Sequence, residues 1–280
     1  MAQALEGGAA VDELVRRLGD LGDGFLLVIT GAGVSVASGL ATFRGDDPGA
    51  VWNQDDVTLG TAEYFRRDPV THWRWYLERF AGILDAEPNP AHSALVELEH
   101  WHTGRGGGFL LVTQNIDTLH EDAGSQRMVK VHGSADRLRC TRDGCALAAP
   151  TGSLPREEAE IAPFLEEPSA QTLPRCPTCG ALLRAHALFF DEYYQDHHDY
   201  RYDEVMAASA RADLLLSIGT SHSVGVTEML LRGARGRGAG VLSIDPNPAP
   251  RPPGRGTVQL RARAEELLPA ATRHLSGESG

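Results

Sequence analysis

The sequence Phe25-Leu26-Leu27-Val28-Ile29-Thr30-Gly31-Ala32-Gly33 joins five consecutive apolar residues to a glycine-rich turn. An apolar run of this length is typical of a parallel strand that is buried on both faces. Three later runs, at residues 109–112, 214–218 and 241–244, have the same form, and each is followed by a polar or glycine-rich turn. Since parallel strands place their carboxyl ends along one edge of a sheet, we expect these turns to line one crevice.

Helical patterns separate the predicted strands. Apolar spacing predicts helices over residues 10–21, 92–101, 203–212, 226–234 and 264–275. Alternating strands and helices predict the α/β class, with a doubly wound, parallel, Rossmann-like sheet.

Two segments interrupt this alternation. Residues 45–90 are rich in aromatic side chains and contain a predicted helix between residues 69 and 84, and residues 137–184 hold all four cysteines. We expect these two segments to build a smaller domain. The Rossmann-like domain is then discontinuous, and its predicted parts are residues 1–44, 91–136 and 185–280.

The composition excludes several functional classes. The chain has 280 residues, of which 42% are hydrophobic, enough for a full core. Its 26 Lys and Arg residues against 38 Asp and Glu residues give a formal charge of -12, which lacks the basic surface typical of nucleic-acid binding. No apolar run approaches the roughly 20 residues of a membrane span, and the first residues carry no apolar signal segment. We expect no direct nucleic-acid binding, no membrane association and a cytoplasmic location.

The four cysteines have the spacing of a zinc site. Cys140 and Cys145 form one pair and Cys176 and Cys179 a second, and a glycine accompanies each pair. Four thiolates fill a tetrahedral shell and leave no position for water, so the predicted Zn²⁺ is structural and makes the smaller domain zinc-binding as well as helical. Two disulfides or free thiols are the alternatives, and they are disfavoured for an intracellular chain.

The glycine-rich turn after the first strand is by itself a weak phosphate-binding motif. A dinucleotide fingerprint requires a third glycine at position 36, where this chain has Val36, and an acidic residue at the end of a second strand. The alternative is that Gly31 and Gly33 only allow close packing between a strand and a helix.

Polar residues follow the next predicted strand in the sequence Thr113-Gln114-Asn115-Ile116-Asp117. Their burial is costly unless they bind a polar ligand or, alternatively, cap a helix. Further along, Val129-Lys130-Val131-His132-Gly133 places a histidine at a strand end, before a glycine that leaves room for a ligand. A lone histidine is more often structural, but this position favours His132 as a general base.

These motifs occur together in the order and spacing of one protein family. The matching positions are residues 31–39, residues 42–45, residues 113–117, His132-Gly133, the four cysteines, residues 219–221 and Asp245. Together they resemble the sirtuins, which are NAD-dependent protein lysine deacylases. The resemblance covers roughly residues 20–270, and it implies NAD as co-substrate and acyl-lysine proteins or peptides as partners.

The resemblance also implies roles for individual residues. The implied NAD-binding residues are Gly31, Ala32, Gly33, Ser35, Phe43, Arg44, Gln114, Asn115, Asp117, Gly219, Thr220, Ser221, Asp245 and Ala264. Asp245 replaces an asparagine of the family. The implied catalytic residues are His132 and Asn115. In the implied reaction the acyl-lysine oxygen displaces nicotinamide, and His132 then deprotonates a ribose hydroxyl, which yields free lysine and O-acyl-ADP-ribose.

Two residues of the first inserted segment predict the preferred acyl group. Tyr76 and Arg79 are three positions apart on a predicted helix and therefore lie on one side of it. They coincide with a Tyr-x-x-Arg pair of the sirtuin branch that removes succinyl, malonyl and glutaryl groups. Arginine binds a carboxylate in a bidentate manner, and the phenol adds a hydrogen bond. Alternatively, Tyr76 belongs to the core and Arg79 is solvated or pairs with Glu78.

One segment departs from the family pattern. Where sirtuins have Arg-Pro and then Phe-Gly-Glu, this chain has Arg184-Ala185-His186 and Phe189-Phe190-Asp191-Glu192. The segment is expected to pair with the substrate peptide, so Asp191 is expected to affect peptide preference. The alternative functions are a deacetylase without acidic preference, an ADP-ribosyltransferase or NAD hydrolase, and a zinc-containing NAD sensor.

Overall fold

Two sheets organise the molecule. The computed structural model describes residues 3–41, 54–220, 225–247 and 256–277. The strands in these residues are β1 (Gln3–Glu6), β2 (Phe25–Thr30), β3 (Gly108–Thr113), β4 (Met128–Lys130), β5 (Gly133–Cys140), β6 (Leu154–Pro155), β7 (Leu183–Ala187), β8 (Leu214–Ile218), β9 (Gly240–Ile244) and β10 (Thr257–Arg261). Within the described ranges, seven parallel strands form the large sheet in the order β1-β10-β9-β8-β2-β3-β4, and β6-β5-β7 form a small antiparallel sheet.

Helices cover both faces of the large sheet. The α-helices in the described residues are α1 (Gly7–Asp20), α2 (Gln54–Leu59), α3 (Ala62–Arg67), α4 (Pro69–Arg79), α5 (Pro90–Gly104), α6 (Leu119–Ala123), α7 (Ala162–Glu166), α8 (Tyr202–Arg211), α9 (Gly225–Arg237) and α10 (Ala264–Ser276). Helices α1, α5 and α10 pack on one face, and α8 and α9 pack on the other. The predicted doubly wound α/β fold is therefore confirmed.

The continuous apolar run of β2 is explained by burial on both faces. Leu26 and Val28 contact the core beneath α1, α5 and α10, whereas Leu27 and Ile29 contact the core beneath α8 and α9. Successive side chains of a strand point to opposite faces, so a strand between two helical layers must be apolar at every position. Each such side chain contributes roughly 1.5–3 kcal/mol when it is fully buried.

The two inserted segments share one apolar core. Trp73 and Tyr76 of α4 belong to the same cluster as Leu138 of β5 and Leu183 of β7. The Trp73 indole also donates a hydrogen bond to the Leu183 carbonyl at 3.0 Å. Strands β5 and β7 extend across the predicted boundaries at residues 136 and 184, and the division into two domains stays a prediction.

Helix α5 is anchored to the glycine-rich turn by its N-terminal cap. The Asn89 side chain accepts a hydrogen bond from the Ala91 amide at 2.9 Å, and Pro90 is the first helical residue. The Asn89 amide donates to the Val34 carbonyl at 2.9 Å. One side chain therefore begins the helix and positions the segment that follows β2.

The described helices include none whose length and apolar character would allow it to span a membrane. The predicted cytoplasmic location stays a prediction.

Candidate active site

The turns after β2 and β8 are in backbone contact at the carboxyl edge of the large sheet. The N–H groups of Gly31 and Gly33 donate to the carbonyls of Ile218 and Gly219 at 3.1 and 2.9 Å. A Cβ atom at Gly33 would lie 2.6 Å from the Gly219 Cα, and Gly219 has a φ of 58°. These glycines therefore have the packing role that the sequence left open, and this packing also brings the two turns side by side as a cradle.

Polar side chains from the turn after β3 form hydrogen bonds with this cradle. The Asn115 amide donates to the Gly31 carbonyl at 3.2 Å and to the Ser35 hydroxyl at 3.1 Å. The Gln114 amide reaches the Thr220 hydroxyl at 3.3 Å. Asn115 Oδ1 is buried and has no hydrogen-bond partner within the described part of the chain. An unsatisfied buried acceptor is costly, so the site is suited to a ligand that donates a hydrogen bond at this point.

Asp117 combines two of the roles that the sequence suggested. Its carboxylate accepts a hydrogen bond from the Ser35 hydroxyl at 2.9 Å, which places it in the polar network. It also accepts from the Leu119 amide at 3.2 Å, at the start of α6. Burial raises the pKa of Asp117, and its hydrogen bonds oppose that shift.

His132 is held in the neutral form that a general base requires. Its Nδ1 lies 2.7 Å from the Gln114 carbonyl, which can only accept, so Nδ1 carries the proton and Nε2 keeps its lone pair. Burial lowers the pKa of His132 to about 4, although the hydrogen bond to Gln114 raises it. The ring is therefore neutral near pH 7. The next residue, Gly133, has a φ of 82°, and a Cβ there would collide with the His186 carbonyl.

Tyr194 is a neighbour of His132 that the sequence analysis missed. Its phenolic oxygen lies 3.3 Å from His132 Nε2, and the two rings stack at 5.9 Å between centroids. Tyr194 also stacks on Tyr202 of α8, at 5.4 Å. The available signal was its position two residues after the segment 189–192, where the chain departs from the sirtuin pattern.

The four cysteines converge as predicted. Their sulfur atoms all lie within 4.8 Å of one another. The Cys140–Cys179 and Cys145–Cys176 sulfur distances are 3.4 and 3.8 Å, far longer than a disulfide bond and close to the roughly 3.8 Å expected for tetrahedral thiolates around zinc. The cluster therefore fits a structural Zn²⁺ site. It lies at one end of the small sheet, where it would join the end of β5 to the start of β7.

Helix α4 presents Tyr76 and Arg79 one turn apart. Tyr76 is 1% exposed and packs against Trp73 and Phe80. Its hydroxyl is buried and finds no hydrogen-bond partner among the described residues, and burial raises its pKa to about 12. Arg79 is half-buried, with its guanidinium carbon 5.6 Å from the Phe80 ring. Tyr76 is thus a core residue, as the alternative held, but its polar group is left unsatisfied.

The segment that departs from the family pattern is fixed by its two acidic residues. Asp191 accepts hydrogen bonds from the amides of Ala62 and Glu63 at 2.6 and 3.0 Å, at the start of α3. Glu192 accepts from Arg139 at 3.0 Å and pairs with the buried Arg184. The Asp191 carboxylate is therefore engaged by the protein's own backbone.

The remaining predicted NAD-binding residues make fewer contacts with the cradle. Asp245 follows β9 at the same edge of the sheet, since the Gly219 amide donates to the Ile244 carbonyl at 3.0 Å. Burial raises the pKa of Asp245, whereas a hydrogen bond from the Asn247 amide lowers it. Ala264 is the buried first residue of α10. Three further positions lie outside the described residues: Phe43, Arg44 and Ser221.

A family model described as the Sir2 family matches residues 31–226, which is more than half of the chain. The chain belongs to the Sir2 family. This confirms the sirtuin family that the motifs predicted. Among similar proteins, one from Thermus thermophilus named "NAD-dependent protein deacylase" is 38% identical over 247 residues, which are 86% of this Sir2 protein and 88% of the relative.

Solved Sir2 structures share the whole fold. A structure titled as a Sir2 homolog–NAD complex has a TM-score of 0.78 and 32% identity, and the match covers 99% of this chain and 97% of that one. A Sir2–p53 peptide–NAD+ structure has a TM-score of 0.75 and 26% identity, with 96% and 99% covered. The cradle and the unsatisfied Asn115 oxygen of this Sir2 protein fit a dinucleotide that brings hydroxyl donors.

Proposed function

We propose that this chain is an NAD-dependent protein lysine deacylase that favours the acidic acyl groups succinyl, malonyl and glutaryl. Membership of the Sir2 family and the 38% identity to a named deacylase support the general activity. The acidic preference rests on α4. Its substrates are acyl-lysine proteins or peptides.

The observation that carries the acidic preference is the unsatisfied hydroxyl of Tyr76. A buried hydroxyl without a partner costs about 1–3 kcal/mol, which a ligand that accepts its hydrogen bond would recover. Tyr76 belongs to the same apolar cluster as Ile116, which follows Asn115 in the chain. The phenol therefore lies in the core that adjoins the catalytic turn. A carboxylate is the strongest acceptor that an acyl group carries, and the guanidinium of Arg79 supplies the opposite charge.

The chain's own residues suit the proposed binding of NAD. Gly31, Gly33 and Gly219, whose N–H groups are already bonded within the fold, would let the phosphates of NAD approach the backbone closely. Ala32, Ser35 and Thr220 would bind the phosphates and ribose beside them, with Ser221, Phe43 and Arg44 assigned there by the family pattern. Gln114 and Asn115 would orient the nicotinamide ribose, and Asp117 with Ala32 would face the nicotinamide. Asp245 and Ala264 would lie near the adenosine. When bound, NAD supplies a ribose carbon whose nicotinamide is a neutral leaving group.

His132 is the proposed general base. Nε2 is the nitrogen that carries no proton, and once its contact with the Tyr194 phenol opens it would accept the proton of a ribose hydroxyl that attacks the acyl group. Nδ1 remains bonded to the Gln114 carbonyl, which holds the ring in one tautomer. The adjacent Asn115 would position the same ribose, so the two residues would act on one sugar.

The deciding experiment compares acyl groups on a single peptide. The purified chain is incubated with NAD and acetyl-, succinyl- or glutaryl-lysine versions of the peptide, and mass spectrometry measures peptide loss and O-acyl-ADP-ribose. We expect the acidic groups to be removed preferentially. Arg79→Met and Tyr76→Phe should each lower desuccinylation at least tenfold more than deacetylation, and Arg74→Met, an exposed position on the same helix, should change neither.

Two other results would replace the proposal. Equal losses on succinyl and acetyl peptides in Arg79→Met would leave a deacylase without the acidic preference. Consumption of NAD with every acyl group intact would favour the ADP-ribosyltransferase or NAD hydrolase instead. His132→Ala should abolish all turnover while the folded chain and its four-cysteine zinc remain, and substantial retained deacylation would remove His132 from the base role.

A further inference from the structure

A second group of metal-binding side chains lies outside the proposed active site. Within the described residues, His186, His197 and Asp199 place one potential ligand atom each within 4.8 Å of one another. His186 belongs to β7, and the other two follow in the segment that leads to α8. None of them is a residue of the NAD cradle or of the four-cysteine cluster.

The two distances from the carboxylate oxygen lie near those of a tetrahedral site. Asp199 Oδ2 lies 3.2 Å from His186 Nε2 and 3.7 Å from His197 Nδ1. Two ligands that bind zinc at about 2.0–2.1 Å with tetrahedral angles are separated by about 3.3–3.4 Å. One carboxylate oxygen therefore lies at nearly the correct distance from two imidazole nitrogens.

The hydrogen bonds of His197 select the tautomer that binds a metal. Its Nε2 lies 3.1 Å from the Gly152 carbonyl and therefore carries the proton. Its Nδ1 accepts a hydrogen bond from the Asp199 amide at 3.2 Å, and that hydrogen bond must open before the same lone pair can bind a metal. A histidine that ligates a metal commonly donates its other N–H to a backbone carbonyl, and His197 has this arrangement before any metal is added.

Two of the three side chains are buried, and the third is exposed to solvent. The side chains of His186 and His197 are 1% and 0% exposed, whereas that of Asp199 is 47% exposed, so an ion can enter from solvent. His186 and Asp199 also line a cleft of about 240 Å³, which leaves space for a fourth ligand.

We propose that His186, His197 and Asp199 form a second metal site that binds Zn²⁺ with water from the cleft as the fourth ligand. Two neutral imidazoles and one carboxylate suit zinc and related divalent transition metals better than Mg²⁺ or Ca²⁺, which prefer oxygen ligands. The ion would fix the segment from His197 to Asp199 to β7 and, through Gly152, to the zinc module, which is the part of residues 137–184 that surrounds the four cysteines. The proposal does not depend on which acyl group the enzyme removes.

The test measures zinc binding by the whole chain after its four-cysteine site has been filled with one equivalent. Zn²⁺ is titrated against a competing chelator, and bound metal is quantified by mass spectrometry. We expect a second equivalent to bind to the wild-type chain and to His198→Gln, an exposed histidine beside the cluster. Asp199→Asn and His197→Gln should bind it at least about 100-fold more weakly, since each removes one of three ligands.

Thermal unfolding provides a second readout. The second equivalent should raise the melting temperature of the wild-type chain and of His198→Gln, but not that of Asp199→Asn. Asp199→Asn changes an exposed side chain by one atom and keeps its shape, so it remains informative if a histidine variant fails to fold. Saturation of the wild-type chain at one zinc, or a second zinc that Asp199→Asn binds equally well, would overturn the proposal.

Discussion

His132 Nε2 lies 3.3 Å from the phenolic oxygen of Tyr194, and the two rings are stacked. Since Nδ1 of His132 donates to the Gln114 carbonyl, the phenol must be the donor in this second contact. The lone pair that a general base requires is therefore engaged by a tyrosine in the free protein, and that contact must open before a substrate proton can be accepted.

Replacing Tyr194 by phenylalanine should shift the acidic limb of the pH profile of kcat/KM. A hydrogen bond donated to the lone pair stabilises the neutral imidazole, so its loss should raise the pKa of His132. The pH dependence of kcat/KM should shift upward in Tyr194→Phe, while the rate near pH 8 changes less than about tenfold. Tyr193→Phe is the matched control, because Tyr193 is 73% exposed. If the acidic limb of the pH profile is unchanged in Tyr194→Phe, Tyr194 does not affect the pKa of His132 and only packs against it.

The wild-type enzyme should remain active in mildly acidic solution. Burial lowers the pKa of His132 to about 4 against an ordinary value of 6.5, so the base is protonated only at much lower pH. At pH 5.5 an ordinary histidine would be about 10% neutral, whereas His132 should be more than about 90% neutral. We expect kcat/KM, measured on the folded chain, to fall less than twofold between pH 7.5 and 5.5. A tenfold fall would show that the free enzyme's base titrates near 6.5.

Gly33→Ala should damage the NAD cradle. The added Cβ would meet backbone atoms of Gly219 at 2.6 Å, and neither turn can move without breaking the hydrogen bond between them. We expect a lower melting temperature and at least tenfold weaker NAD binding by calorimetry. Gly19→Ala in α1 meets no atom within 4 Å and should instead stabilise the fold by about 0.5–1 kcal/mol. Equal effects of the two substitutions would contradict the packing argument.

Loss of one cysteine should unfold the zinc module. Cys176→Ala removes one of four ligands, so we expect the bound zinc to fall by one per chain and the melting temperature to drop. Limited proteolysis should then cut between residues 141 and 182, the segment that the metal would hold together. Thr178→Ala, which lies between the two cysteines of the second pair, should retain the wild-type metal content. If the Cys176→Ala chain resists proteolysis between residues 141 and 182, apolar packing alone is enough to keep this segment folded.

The centre of the fold could be predicted because its strands are buried on both faces. The four apolar runs became β2, β3, β8 and β9 with small changes at their ends. Strands β1 and β10 were missed, since the sequences Gln-Ala-Leu-Glu and Thr-Val-Gln-Leu-Arg carry too few apolar residues to stand out. Their pairing to one another and to β9 decides their structure, and that pairing is not a local property.

The site was predictable where its chemistry follows a fixed spacing. Four cysteines in two close pairs indicate a metal, and polar residues directly after buried strands indicate a ligand. Tyr194 reaches His132 across 62 positions, and His197 reaches Gly152 across 45. No local pattern connects such pairs, because the path of the chain through the small sheet brings them together.

The buried pairing of Arg184 with Glu192 requires a side chain that keeps its charge when buried, and arginine meets this requirement better than lysine. Burial, with the nearby charge of Arg139, lowers the pKa of Arg184 to about 10, so the side chain remains charged at neutral pH. The same burial would lower the pKa of a lysine from an ordinary value of about 10.4, which is already below that of arginine. A lysine would therefore lose its charge at a lower pH than the arginine does and leave Glu192 with a weakened counter-ion, so that an exchange between two basic residues would act there as the removal of a charge.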